Sequence, residues 1–270
     1  MRDTAPRTGY APVNGLEMYY EIHGAGRPLV LLHGSLSATG TSFGRLLPAL
    51  AETRRVISLE QQAHGHTADV DRPLTISQMA DDSVAALRQL GIEEADFFGY
   101  SLGAGVALEI ALRYPDVARK LVLASVTYNR EGFHPGLLEG IEGLRPEQMV
   151  GTPWQEEYAR IAPRPEDWPK LVARVKELDR NLQDWPAEAV RSLRAPVLLI
   201  IGDSDIVRPE HAVEMFRLLG GGVAGDSAGL PRSQFAVLPG TTHVSLVERA
   251  DLLLAIIPPF LDAPLAAGKA

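Results

Sequence analysis

The chain has no cysteine, which excludes disulfides, thiolate catalysis and cysteine-ligated zinc or iron–sulfur centres. Long apolar runs are missing as well: none approaches the roughly 18 residues that a membrane-spanning helix requires. The first residues, MRDTAPRTGYAPVNG, carry no apolar segment of the secretory-signal type. Positive charge is in deficit, with 26 Lys and Arg against 34 Asp and Glu and a formal net charge of −8. That balance disfavours nucleic acid or another polyanion as partner and otherwise serves solubility. The expectation is a cytoplasmic protein, independent of membranes, whose partner is a small molecule.

What is present suits a globular enzyme-sized chain. With 46% hydrophobic and 22% charged residues over 270 positions, there is material for one large domain, or a domain carrying an insertion. Short apolar runs alternate with helix-patterned stretches. Leu29–Leu32, Arg55–Leu59, Ala95–Phe98, Lys120–Ala124, Pro196–Ile201 and Gln234–Leu238 read as strands. Their near-continuous apolar character fits a parallel sheet covered on both faces. Glu17–Ile22 alternates more clearly and fits an antiparallel edge hairpin. Helices are expected over Ser77–Leu90, Leu102–Tyr114 and Glu210–Leu219, with a last one over Leu246–Leu261, stopped or kinked near Pro258-Pro259. Strand–helix alternation of this kind implies right-handed crossovers and a doubly wound sheet.

One stretch breaks the rhythm. Residues 127–193 show no convincing strand, are interrupted by seven prolines, and hold all three tryptophans, Trp154, Trp168 and Trp185. This stretch reads as a helical cap inserted over a core formed by residues 1–126 and 194–270; a helical subdomain beside the core is the alternative. The glycine-rich Gly220–Gly229 stretch has no lysine after it and reads as a connector rather than a phosphate cradle.

Gly99-Tyr100-Ser101-Leu102-Gly103 directly follows a strand and opens a helix. That context makes Ser101 a candidate nucleophile on a tight turn, with the positive end of a helix dipole behind it. Gly40-Thr41-Ser42-Phe43-Gly44 has the same pattern, but no strand ends before it, so Ser42 is assigned to a loop or helix start. An acid and a base should follow. Asp203 and Asp205 both come after the Pro196–Ile201 strand, and His243 follows the last strand, at the sheet edge where ligands of open α/β sheets bind. His211 opens an ordinary helix beside Pro209 and is expected to be a solvated surface residue. His64 and His66, near Asp69 and Asp71, match no strong ligand spacing, so no metal is expected.

From about Gly15 to Leu261 the chain resembles the α/β-hydrolase superfamily, in particular its small esterase or non-haem haloperoxidase-like branch. The resemblance rests on His33-Gly34-Ser35, the loop Glu60 to Thr67, the turn at Ser101, Gly202-Asp203-Ser204-Asp205, and Gly240 to His243. It implies a mostly parallel, doubly wound α/β-hydrolase fold with a short helical cap between the sixth and seventh strands. It also implies Ser101, Asp205 and His243 as nucleophile, acid and base, the second aspartate of the pair being favoured. The backbone N–H groups of Ser35 and Leu102 would bind the oxyanion, with Leu36 a less favoured donor. No cofactor is implied. A serine at the turn sets the chain apart from relatives that attack with aspartate. The implied activity is hydrolysis of a carboxylic ester, with lactone, amide, carbon–carbon and perhydrolase chemistry on the same residues as alternatives. A slowly turning-over ligand receptor and a lyase are further ones. Tyr100, Tyr128, Phe133, Trp154 and Tyr158 are candidate substrate-lining residues, with Trp168 beside them. One departure from the family is Glu60-Gln61-Gln62, where many relatives begin the loop with aspartate.

Overall fold

The computed structural model describes residues 5–265. β1 (Arg7–Val13) and β2 (Leu16–His23) form an antiparallel hairpin. Asn14 and Gly15 link them at φ 49° and 80°, the backbone that a two-residue Asn-Gly hairpin turn demands. β3 (Arg27–Leu32), β4 (Arg54–Leu59), β5 (Ala95–Tyr100), β6 (Ala118–Ala124), β7 (Val197–Ser204) and β8 (Gln234–Thr242) follow. They pair in parallel, and β2 joins them antiparallel against β4. The order across the sheet is β1-β2-β4-β3-β5-β6-β7-β8. The chain therefore winds outward from β3 to β4 and then crosses back to β5. That reversal leaves a crevice beyond the carboxyl ends of β3 and β5, at Leu32 and Tyr100, and ligand sites of open α/β sheets form at such reversals.

Helices fill the crossovers. α1 (Thr39–Phe43) and α2 (Leu47–Ala51) precede β4, and α3 (Ile76–Gln89) and α4 (Leu102–Arg113) flank β5. α3 starts one residue before the expected Ser77, because the Thr75 hydroxyl caps it by accepting from Gln78 N–H at 3.1 Å. α4 buries almost every residue, since it lies between the sheet and α3. α5 (Leu137–Glu142), α6 (Pro153–Ile161), α7 (Trp168–Arg180) and α8 (Ala187–Arg191) lie between β6 and β7, in a stretch without a strand of its own. α9 (Pro209–Leu218) follows β7, a single turn, α10 (Gly225–Ala228), interrupts the glycine-rich connector, and α11 (Ala250–Asp262) ends the fold.

α11 differs from expectation at both ends. Leu246–Glu248 forms a separate 3₁₀ turn, and the helix runs through Pro258 and Pro259 to Asp262. Burial of Ile257, Phe260 and Leu261 holds that last turn against the sheet. The ammonium of the buried Lys120 donates to the carbonyls of Phe260 (2.7 Å), Leu261 and Ala263, satisfying acceptors that the helix leaves open.

The sheet separates two apolar layers, and β3 serves both by simple alternation. Val30 and Leu32 join the layer under α3 and α4, while Leu29 and Leu31 join the layer with α2 and α11. A third, smaller cluster joins Tyr158, Trp168, Leu171, Val172 and Val175 within the helical stretch. Polar ties fasten that stretch to the sheet's loops. Asp69 pairs with Lys170 at 2.7 Å and Arg174 at 3.4 Å, and Glu157 accepts from Thr41 N–H at 2.9 Å. Among the described residues, no helix is long and apolar enough to cross a membrane.

Candidate active site

Between β5 and α4 the chain turns at Ser101, which takes φ 53° and ψ −118°. A side chain at positive φ is strained, and the surroundings show what enforces it. The Ser101 N–H donates to Ala124 O at 2.9 Å. A Cβ at Gly99 would meet the backbone of Gly103 and Ala104, and one at Gly103 would meet the Leu32 carbonyl. Both glycines are packing requirements of a strand and helix brought this close. The turn lifts the Ser101 hydroxyl to the crevice at the first residue of α4.

His243 and Asp205 reach the same place from the ends of β8 and β7. His243 Nε2 lies 3.1 Å from Ser101 Oγ, and Nδ1 lies 3.0 Å from Asp205 Oδ1. Asp205 is buried and also accepts from the N–H groups of Gly202 (3.0 Å) and Ile206 (2.7 Å) and from the Ser125 hydroxyl. Burial pushes its carboxyl up, but the His243 contact, the Ser125 hydroxyl and the Gly202 N–H together hold it below the ordinary range. An ionised Asp205 only accepts, so the hydrogen-bond network puts the histidine proton on Nδ1 and leaves Nε2 to accept from Ser101. Asp203 does not touch His243. It accepts from Gly240 N–H at 2.8 Å and Thr241 N–H at 3.1 Å, which fastens the loop ahead of His243. Tyr100 completes the support by donating its hydroxyl to His243 O at 2.9 Å.

The loop after β3 forms the other side. Leu36 takes φ 59°, and the turn before it is braced by Ser37 and Ser42. Gly34 N–H donates to Ser42 Oγ at 3.3 Å, Ser37 Oγ donates to Gly34 O at 2.8 Å, and the two hydroxyls are 2.7 Å apart. Ser42, in the second Gly-x-Ser-x-Gly, is thus a buried brace within α1. His33 accepts from Gln61 N–H at 3.0 Å through Nε2, and burial lowers its pKa. Ser35, Ser101, Leu102 and His243 all border one cavity. Among the described residues, no internal acceptor takes the N–H of Ser35 or Leu102.

Residues 29–256 match the family model described as "Alpha/beta hydrolase family". The chain belongs to the alpha/beta hydrolase family. It is 34% identical over 111 residues to pyrrolizixenacetamide deacetylase from Xenorhabdus hominickii, covering 41% of this chain and 42% of that protein. It is 40% identical over 103 residues to 2-hydroxymuconate semialdehyde hydrolase from Pseudomonas sp., covering 37% and 36%. The chain spans less than half the length of these two curated relatives. A meta-cleavage product hydrolase from Pseudomonas fluorescens shares the fold, with a TM-score of 0.74 at 20% identity over 95% of this chain and 97% of that one.

The cavity of this α/β hydrolase has a volume of about 320 Å³ and a mainly apolar wall. Of the expected lining residues, Tyr100, Phe133 and Trp154 border it. Tyr128 and Tyr158 do not. Tyr128 stacks on His211 and donates its hydroxyl to Glu214 at 2.8 Å, and Tyr158 packs against Trp168 in the third cluster. His211 is not a surface residue: it is 5% exposed, and its Nε2 accepts from Tyr128 N–H at 3.2 Å. Residues not anticipated as lining include Ile76, Ile141, Val175, Leu178 and Trp185. The spacing of Leu171, Val175, Leu178 and Leu182 is a helical apolar stripe and could have pointed to Val175 and Leu178.

The histidines after β4 serve structure. Burial drives His64 down to about 3, and its Nδ1 contacts Gln62 O at 2.9 Å. His66 pairs with Glu60 at 2.9 Å and stacks on Tyr19. Glu60 also accepts from Thr39 N–H at 3.2 Å, so the departure from the family pattern ties this loop to α1.

Proposed function

We propose that the protein is a serine hydrolase that cleaves a carboxylic ester, or a similar acyl bond, of a small and largely apolar substrate. The observation that carries this reading is the hydrogen-bonded line from Asp205 through His243 to Ser101 at the wall of an apolar cavity. Ser101 Oγ attacks the acyl carbon while His243 Nε2 takes its proton. The carbonyl oxygen gains charge and is met by the N–H groups of Ser35 and Leu102; losing one such donor typically costs about 2.7–4 kcal/mol of barrier. The imidazolium then gives the proton to the leaving alcohol. Water then attacks the acyl carbon as His243 Nε2 takes its proton, the bond from that carbon to Ser101 Oγ breaks, and the imidazolium returns the proton to Oγ as the acid leaves. Asp205, kept ionised by its donors, holds the Nδ1–H tautomer and stabilises the imidazolium. None of these steps calls for a cofactor.

The cavity wall supports a small substrate. A cavity of about 320 Å³ is at the small end of ligand sites, which run from about 300 to 1,000 Å³. Leu178, Ile141 and Trp154 suit a short acyl chain or an aryl group. Amide hydrolysis on the same residues is a second reading, favoured by the deacetylase among the relatives.

Turnover of p-nitrophenyl esters of increasing acyl length, alongside acetanilide, tests the reading. Ester turnover that vanishes in Ser101→Ala supports it, and a fall beyond medium chain length supports the cavity argument. Equal turnover in both proteins contradicts it. Binding without turnover in either would favour a receptor.

A further inference from the structure

One charged side chain that the proposed chemistry leaves unused faces the cavity. α7 presents Val175, Leu178 and Asp179 to it, the spacing of a single helix face. Among the described residues, Asp179 is the only carboxylate in the lining, and no lysine or arginine lines it. The cations that line the adjoining groove are engaged elsewhere. Arg180 binds Glu142 through two nitrogens, Lys176 Nζ donates to Leu144 O at 3.1 Å, and Arg130 pairs with Asp184 at 3.7 Å. Burial, with no opposing charge beside it, pushes the Asp179 carboxyl from its ordinary 3.8 up to about 6. At neutral pH it is a partly buried anion whose compensation does not come from the protein. Such a group costs stability, and at a cavity wall it marks a place where a ligand supplies the partner.

Position narrows what that partner is. Leu138, Ile141 and Asp179 border both the cavity and a groove on the outer side of α5 and α7. The carboxylate therefore stands where the apolar interior meets a polar groove, which Arg130, Glu139, Glu142, Lys176 and Arg180 also line. A cation held there keeps part of its hydration while the apolar remainder of the molecule lies inside. Trp154 and Phe133 are in the same lining, and aromatic rings are compatible with a methylated ammonium. An anionic substrate finds no opposite side-chain charge in this wall.

We propose that Asp179 is a specificity-determining residue that seats an ammonium group, methylated or not, of a substrate whose acyl bond is cleaved at Ser101. The inference rests on the hydrolase reading for its chemistry, though the cation site can be tested without turnover. The probes are p-nitrophenyl esters whose acyl chains end in trimethylammonium, and their neutral tert-butyl isosteres, at several chain lengths. At the matching length the parent should prefer the cation by about tenfold or more in kcat/KM, mainly through KM, and Asp179→Asn should remove most of that preference. Equal rates on both series, or a preference that survives Asp179→Asn, overturns the proposal.

Binding separates this outcome from failure of the hydrolase reading. Calorimetry of an alkyltrimethylammonium ion with Ser101→Ala should show binding about tenfold or more tighter than with Ser101→Ala/Asp179→Asn. If no ester is turned over but that difference holds, the cation site stands and the ester reading falls. If esters are hydrolysed and the two variants bind the cation equally, the cation site falls. Thermal unfolding of each variant checks that the comparison is between folded proteins.

Discussion

At the carboxyl edge of the sheet, side chains are held by backbone groups. In the helical stretch between β6 and β7 they are held by one another. Asp205 is fixed by N–H groups of its own loop, Asp203 ties that loop to the one bearing His243, and Ser101 is locked by the packing of Gly99 and Gly103. The facing wall depends on the small cluster of Tyr158, Trp168, Leu171, Val172 and Val175. Backbone anchoring fixes atoms to hydrogen-bond tolerance, which bond-making requires. Side-chain packing can exchange one apolar group for another at modest cost. The first region thus suits chemistry and the second suits choice of substrate.

The largest expected effect falls on the first region. Ser101→Ala should reduce kcat for an ester by about 10⁴-fold or more, the loss that removal of the nucleophile causes in serine hydrolases. Asp205→Asn should cost about 10³–10⁴-fold, because it disturbs the tautomer. Asp203→Asn weakens only a loop tie, and steady-state kinetics should show about tenfold or less, accompanied by a lower Tm. Similar losses for the two aspartates would break the distinction drawn between them.

The second region should respond in specificity. Leu178→Trp adds volume to the wall and should remove activity on longer acyl chains, while acetyl ester turnover stays within about threefold of the parent. Leu171→Ala, which empties a buried position in the third cluster, should cost about 2–5 kcal/mol of local or global stability. Hydrogen exchange should place that loss in α6 and α7 ahead of the sheet. An Leu178→Trp protein that loses all esters equally would mean that this wall takes part in positioning the reaction.

The smallest effect is on stability against pH. Asp179 has a folded value raised from 3.8 to about 6, so between those values the native state holds more of its proton than the unfolded chain does. Stability should then fall as pH rises through that window and stay level above it. Asp179→Asn should accordingly raise Tm at pH 8 but not at pH 3.5, measured by calorimetry. Asp205 runs the other way: its lowered value contributes stability above the ordinary carboxylate range, lost as pH falls through the folded value.

The two regions also differ in how far the amino-acid sequence announces them. Gly99-Tyr100-Ser101-Leu102-Gly103 is legible because strand, turn and helix are adjacent in the chain, and the Glu17–Ile22 alternation is a local signal of the same kind. Asp205 over Asp203 is not decided by local pattern; only the closing of β7 against β8 brings one of them to His243. Tyr128, Tyr158 and His211 are misplaced by local reasoning. The surroundings of Tyr128 and His211 come from contacts distant in sequence, whereas Tyr158 turns inward to the core of its own helical stretch. Phe133 bridges to Val207, and Arg208 N–H donates to Gly132 O at 2.8 Å, which lays the chain after β6 across α9 and covers His211. Asp179 carries no local sign of function either, because an acid near the end of an amphipathic helix is ordinarily solvated. Only the arrangement of α5 and α7 around the cavity takes it partly out of water.

The claim on which the rest depends is that Ser101 carries the acyl group. Acid-quenching the protein during turnover of a slowly deacylating p-nitrophenyl ester, followed by peptide mass spectrometry, tests it directly. An acyl adduct is expected on the peptide containing Ser101, absent from Ser101→Ala. An adduct on Ser42, or steady hydrolysis that persists in Ser101→Ala with no adduct at residue 101, would contradict it.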